Sequence, residues 1–150
     1  MSLITQIGEE LKTAMKAGEV LKRDTLRFLQ SAVKNAAIEA RIPVTELSDA
    51  QVQDVVKRLV KQRKDSIEQY RAAGRVDLVE KEAAELALIQ IYLPAQLSRE
   101  AIGVIVDRVL AGMPGVTGKD MGRVMGAVMK ETAGQADGGV VRELVSAKLQ

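Results

Sequence analysis

The residues with most to offer chemically lie near the C-terminal end. They are Lys119-Asp120-Met121-Gly122-Arg123-Val124-Met125 and, twelve residues on, Asp137-Gly138. Both stretches read as glycine-marked helix starts. A helix N-terminus carries backbone N–H groups without intrahelical partners and the positive end of the helix dipole, so it attracts anions. Thr117 is placed to cap the first helix, entered through Gly118 and Lys119, with Asp120 at its positive end. Asp137 is placed to cap the second, whose first turn Gly138 and Gly139 leave bare. Lys119, Arg123 and Lys130 could set cations beside these N–H groups. Gly122 permits close backbone approach, and Met121 and Met125 offer adaptable apolar surface. Residue types alone leave two outcomes open: docking of an anionic partner, or close packing of two capped helices.

A second cluster sits mid-chain. Arg63 falls inside the apolar stripe Val52, Val56, Leu59, Val60, Ile67 and Tyr70, while Glu82 falls beside Val79 and Leu86 on the next stripe. Both lie a similar distance from Gly74, so an antiparallel hairpin would bring them together. A buried guanidinium and a buried carboxylate need each other. The expectation is a structural Arg63–Glu82 ion pair with Glu85 as the reserve partner; the alternative is Arg63 snorkelling to solvent along its stem. Lys57, Lys61, Lys64 and Arg71 form a basic stripe flanking that face, and Lys12, Lys16, Arg23, Arg27 and Lys34 add charge before it. These could track phosphates, or form a solvated face balanced by Glu9, Asp24, Asp65 and Glu68.

Catalytic chemistry is harder to find. The chain has no Cys and no His, which removes thiol nucleophiles, imidazole bases and the usual zinc ligands. There is no P-loop and no dinucleotide-binding glycine motif. No Ser and Lys are arranged as an activated pair. No catalytic residue, no metal and no cofactor is expected. One Phe, two Tyr and no Trp also disfavour stacking on single-stranded bases.

The elements that must position these residues are helical. Abundant Ala, Val, Leu, Lys, Glu and Arg predict an all-α fold with an aliphatic core. Apolar spacing predicts a first helix along Leu3, Ile7, Leu11 and Met15, stopped by Gly18. A second follows over 20–40, using Leu26, Leu29, Val33 and Ala37. Ser48 and Gln51 form a capping box that opens the longest helix. Asp77 and Glu80 read as the next cap, ahead of Val79, Ala83, Leu86, Ile89 and Ile91. Pro94 interrupts the pattern. Ser98 then caps a helix using Ile102, Val106, Val109 and Leu110, and two short helices close the chain. The expected organisation is an elongated N-terminal helical bundle over 1–92, a hinge over 93–97, and a small three-helix C-terminal subdomain over 98–150.

Charge follows the same division. Residues 1–75 hold fourteen Lys/Arg against ten Asp/Glu, and residues 76–100 hold two against five. This is a mild basic bias, below that of a dedicated DNA binder. With no signal-peptide run and no apolar stretch near the roughly 20 residues that span a bilayer, the sequence reads as non-membrane and cytoplasmic.

The run Lys61-Gln62-Arg63-Lys64-Asp65-Ser66-Ile67 resembles the GatB/YqeY family. The resemblance continues through Ala73-Gly74-Arg75, Asp77-Leu78, Glu80-Lys81-Glu82, Tyr92-Leu93-Pro94, Lys119 to Met125 and Ala136-Asp137-Gly138. It covers essentially the full length and is strongest to the free-standing YqeY-like proteins. It implies the module found as the tail of the tRNA-dependent amidotransferase B subunit, which contacts the tRNA elbow and supplies no amidotransferase chemistry. A family-level carbon–nitrogen ligase label would then be inherited from the fused enzyme. The signature positions carry over onto Lys119, Asp120, Met121, Gly122, Arg123, Met125, Asp137 and Gly138. Gln135 departs from the basic residue often found there. The implied function is a non-catalytic, tRNA-associated helical adaptor. The alternative is a protein-docking module for an amidotransferase subunit or an aminoacyl-tRNA synthetase.

Overall fold

The computed structural model describes residues 1–133 and 135–149; Gly134 and Gln150, both inside the expected C-terminal subdomain, lie outside them. The described residues are all-helical. They divide into two compact units, Met1–Leu93 and Pro94–Gln150.

The first unit contains α1 (Leu3–Ala17), α2 (Val20–Ala40), α3 (Asp49–Ala72) and α4 (Val76–Gln90). Local chemistry sets the ends of these helices. Gly18, at φ 72°, closes α1 by donating its N–H to the Ala14 and Met15 carbonyls, a left-handed conformation that glycine adopts without a Cβ clash. At the start of α3 the Gln51 N–H donates to Ser48 Oγ at 3.1 Å, while the Ser48 N–H donates to Gln51 Oε1 at 2.9 Å. This reciprocal cap satisfies two otherwise orphaned donors. Gly74, also at φ 72°, turns the chain from α3 into α4.

Ile7, Leu11, Leu26, Leu29, Val33, Val52, Val56 and Ile89 fill the core of this unit. Tyr92 is its one buried aromatic. Its hydroxyl donates to the Glu10 carboxylate, and Gln53 Nε2 reaches the Tyr92 carbonyl at 3.4 Å. The end of the unit is thereby fastened to α1 and α3.

Three sequence expectations change here. Met15 is exposed and Ala14 is buried instead, because steps of four residues drift about 40° each around a helix with 3.6 residues per turn. On α4, Ala83 faces solvent, as does Ile91 at its C-cap, while Leu78, Val79, Leu86 and Ile89 turn inward. Asp77 does not cap α4: Arg75 holds the N-cap position, and Asp77 lies in the first turn. Arg75 grips the Asp77 carboxylate with Nε at 3.2 Å and Nη2 at 3.1 Å, holding it below the ordinary carboxylate range.

The second unit contains α5 (Arg99–Ala111), α6 (Met121–Thr132) and α7 (Gly138–Lys148). Ser98 caps α5 by accepting the Ala101 N–H at 3.1 Å. Ile102, Val106, Val124, Val128, Val141 and Val145 make its core. Three exposed ion pairs tie its helices together: Arg108–Glu131 at 2.6 Å, Arg99–Glu143 at 3.1 Å and Lys148–Asp107 at 3.0 Å. Leu97 belongs with this unit, because its N–H donates to the Gln135 carbonyl at 2.7 Å.

Candidate functional site

The site is built around the entry to α6. Thr117 caps a short 3-10 turn, Gly118–Asp120, and not α6 itself. Its Oγ1 accepts the Lys119 N–H at 3.4 Å, and Asp120 Oδ2 accepts the Thr117 N–H at 2.9 Å. The other oxygen of Asp120 lies 3.5 Å from Arg123 Nη2. Asp120 is therefore occupied on both sides, as a brace for the turn and a weak tether for Arg123.

The start of α7 is occupied as well. Asp137 Oδ1 accepts the Gly139 N–H at 2.8 Å and the Val140 N–H at 3.2 Å. An anion arriving there would meet N–H groups already bonded to the chain's own carboxylate. A Cβ on Gly139 would lie 3.0 Å from that oxygen, so this glycine makes room for the cap. The bare first turn expected at Gly138 and Gly139 is a closed one.

Gly122 also differs from expectation. A Cβ added there would meet nothing within 4 Å, and the same holds at Gly118 and Gly126. The glycine is exposed and does not bring two helices together. Gly122 and Gly126 lie one turn apart on the outer face of α6, with Arg123 and Lys130 beside them. Lys119 is exposed at the head of the same face. Among the described residues Lys119, Lys130 and Arg142 make no ion pair, whereas Arg99, Arg108 and Lys148 are committed to the pairs between helices. Met121 and Met125 are half-buried against the cluster around Val124 and Val128. Gln135, also half-buried, lies against this unit through its backbone.

The mid-chain residues form a separate assembly. Arg63 Nη1 lies 3.2 Å from Glu82 Oε2 and also bonds Glu85, so both carboxylates engage one nitrogen. The guanidinium carbon sits 5.4 Å from the centre of the Phe28 ring, within cation–π range. Arg63, Glu82 and Glu85 are mostly buried, at 13%, 21% and 14% side-chain exposure, so Arg63 does not extend into solvent. Lys57, Lys61 and Lys64 are exposed, without an ion pair among the described residues; Arg71 bonds Glu68.

Sequence reasoning passed over Phe28 and Gly126. The sign for Phe28 was its uniqueness in an aliphatic chain. The sign for Gly126 was its four-residue spacing from Gly122, which repeats on one helix face.

An all-helical chain of two units, one carrying an open, glycine-floored cationic face, defines the class. Residues 4–149 match the family described as Yqey-like protein, and the chain belongs to that family. Curated fungal relatives carry the name Altered inheritance of mitochondria protein 41, mitochondrial. The relative from Pyrenophora tritici-repentis is 34% identical over 152 residues, covering 99% of this chain and 79% of its own length. Those from Kluyveromyces lactis and Lachancea thermotolerans are 35% and 38% identical, over 73% and 60% of this chain. The match spans 60% of the Kluyveromyces protein and 47% of the Lachancea one.

These names correct the expected cytoplasmic location, because they point to mitochondria. The physical reason is that a cysteine-free helical domain can have the same composition in either of two reducing compartments, so composition and hydropathy do not separate the cytosol from a mitochondrial interior.

Proposed function

We propose that the chain is a non-catalytic adaptor for structured RNA of the tRNA type, docking through the outer face of α6. One observation carries this reading: Gly122 and Gly126 open a strip of backbone to solvent between Lys119, Arg123 and Lys130. A phosphate backbone can approach such a strip closely, and the flanking cations can neutralise it: Lys119 and Lys130 make no ion pair among the described residues, and exposed Arg123 is held only by Asp120 at 3.5 Å. The seat differs from a helix N-terminus, since Asp137 fills the start of α7. Few aromatics favour contacts to shape and backbone over stacking on bases. The carbon–nitrogen ligase label of the fused enzyme enters as an inherited association; this adaptor adds no amido-transfer step.

Docking on an amidotransferase subunit or synthetase through Met121 and Met125 is less well supported. Both side chains are drawn partly into the core of their own unit.

Fluorescence anisotropy with bulk tRNA tests the reading. Affinity should be micromolar near about 50 mM salt and fall steeply as salt rises. Replacing Lys119 and Arg123 with Ala should flatten the log–log salt slope by about two. Gly122→Leu should block binding while leaving the helix intact. No binding at low salt with about 100 µM protein, or binding indifferent to salt, would overturn the proposal.

A further inference from the structure

The outward face of α2 departs from the usual division of an amphipathic helix. Leu26, Leu29 and Val33 make its buried side. At 3.6 residues per turn, Val20, Leu21, Phe28 and Ile38 fall within an arc of about 100° on the opposite side. These four stand 41% to 73% exposed, although the solvent flank of such a helix is ordinarily polar. Phe28 lines a cavity of about 420 Å³ between α2, α3 and α4, where it covers Arg63, and the rest of its ring meets water. Met15 extends the face onto the end of α1, because Arg27 Nη2 lies 4.0 Å from its Sδ. Five of the nine large apolar side chains exposed among the described residues therefore share one surface, and such clustering marks an interaction site.

Cations frame these side chains. Arg27 and Lys34 run along one edge of the arc, and Lys12 and Lys16 lie beside Met15 on α1. All four are exposed, without an ion pair among the described residues. The acids within the face are answered. Asp24 bonds Arg23 at 2.8 Å, Arg27 and Lys81 act on its charge as well, and Glu19 lies 4.0 Å from Lys22. Glu9, one turn behind Lys12, and Glu39, at the Ile38 end, stand at its margins. Over residues 9–41, with Glu10 engaged by Tyr92, seven Lys/Arg stand against four Asp/Glu.

We infer that this face, formed by α2 and the end of α1, lies against an anionic lipid bilayer. Met15, Val20 and Leu21 enter the headgroup boundary, while Lys16, Arg27 and Lys34 meet lipid phosphates. Interfacial helices bind through this pairing of apolar side chains with basic flanks, and each cation near a charged leaflet multiplies affinity about fivefold. The contact is peripheral, because no helix of the described residues is long and apolar enough to cross a membrane. A second copy is disfavoured, since it would set two positive surfaces against each other. A nucleic acid would answer the charges but leave the apolar side chains without a partner.

Flotation of the full chain with lipid vesicles tests the inference. Phosphatidylcholine vesicles holding about 30 mol% phosphatidylglycerol should bind it at least about tenfold better than phosphatidylcholine alone, and less so as salt rises. Lys16→Gln with Arg27→Gln should weaken that binding at least about tenfold, and Val20→Ser with Leu21→Ser at least about fivefold. All four positions are exposed, so circular dichroism should show both variants folded. Because the chain has no tryptophan, Leu21→Trp supplies a single reporter. Its emission should shift to the blue on anionic vesicles, whereas that of Val104→Trp, in the second unit, should not. Lys119→Ala with Arg123→Ala should leave vesicle binding intact, which separates this face from the RNA face of α6. Full binding by the folded serine variant would reduce the face to a general polyanion surface and overturn the inference. So would a blue shift at position 104 in place of 21. Absence of any preference for anionic vesicles would also overturn it, and would leave the face to an acidic protein partner.

Discussion

Arg63 shows how much one side chain can organise. Its guanidinium meets two carboxylates and the face of Phe28 in a largely desolvated setting. Replacing it with Met would leave Glu82 and Glu85 facing each other without a cation, at a cost of about 3 kcal/mol. A urea unfolding curve should show that loss, and adding Glu82→Gln and Glu85→Gln should recover most of it. Tyr92 is the other decisive residue. Burial, and then the Glu10 carboxylate that its hydroxyl bonds, push the phenol above its ordinary value of 10.0. Because the folded form holds this proton more tightly than the unfolded chain, the associated stability is complete below about pH 10 and declines as pH rises beyond it. Tyr92→Phe should cost about 1.5 kcal/mol at neutral pH and flatten that alkaline decline in urea midpoints.

At the scale of elements, caps and glycines divide the labour around α6 and α7. Asp137 satisfies two N–H groups of α7, so Asp137→Ala should destabilise the fold by about 1 kcal/mol. If the outer face of α6 is the docking surface, the same variant should leave tRNA affinity unchanged or slightly raised, because it frees two donors and removes a negative charge. Gly126 presents the converse. An added Cβ meets nothing within 4 Å, and alanine is the better helix former, so Gly126→Ala should raise stability by about 0.5–1 kcal/mol. A thermal melt reads the sign directly.

Over the whole molecule, the basic groups separate into two sets. Lys57, Lys61 and Lys64 belong to the N-terminal unit, and Lys119, Arg123 and Lys130 to the C-terminal one. Anisotropy should distinguish them. Alanine at the first three should change tRNA affinity no more than about twofold, whereas alanine at the last three should weaken it at least about tenfold and reduce its salt dependence. Equal losses from both sets would show that the docking surface is not confined to α6, and a loss from the first set alone would place it on the N-terminal helices.

Periodicity alone determined much of this protein. The all-helical class follows from it, as do the caps at Ser48 and Ser98 and the inward register of Arg63 and Glu82, because the helical period and capping chemistry are local properties. Only the tertiary structure decided which partners those residues found. Glu82 and Glu85 share one Arg63 nitrogen, a cavity opens beside them, and Tyr92 reaches back to Glu10 across the unit. It also decided what the C-terminal glycines do. Gly122 and Gly139 look alike in a sequence, yet one faces open solvent and the other makes room for the Asp137 cap. That difference depends on the atoms surrounding each position, and those are brought there by packing.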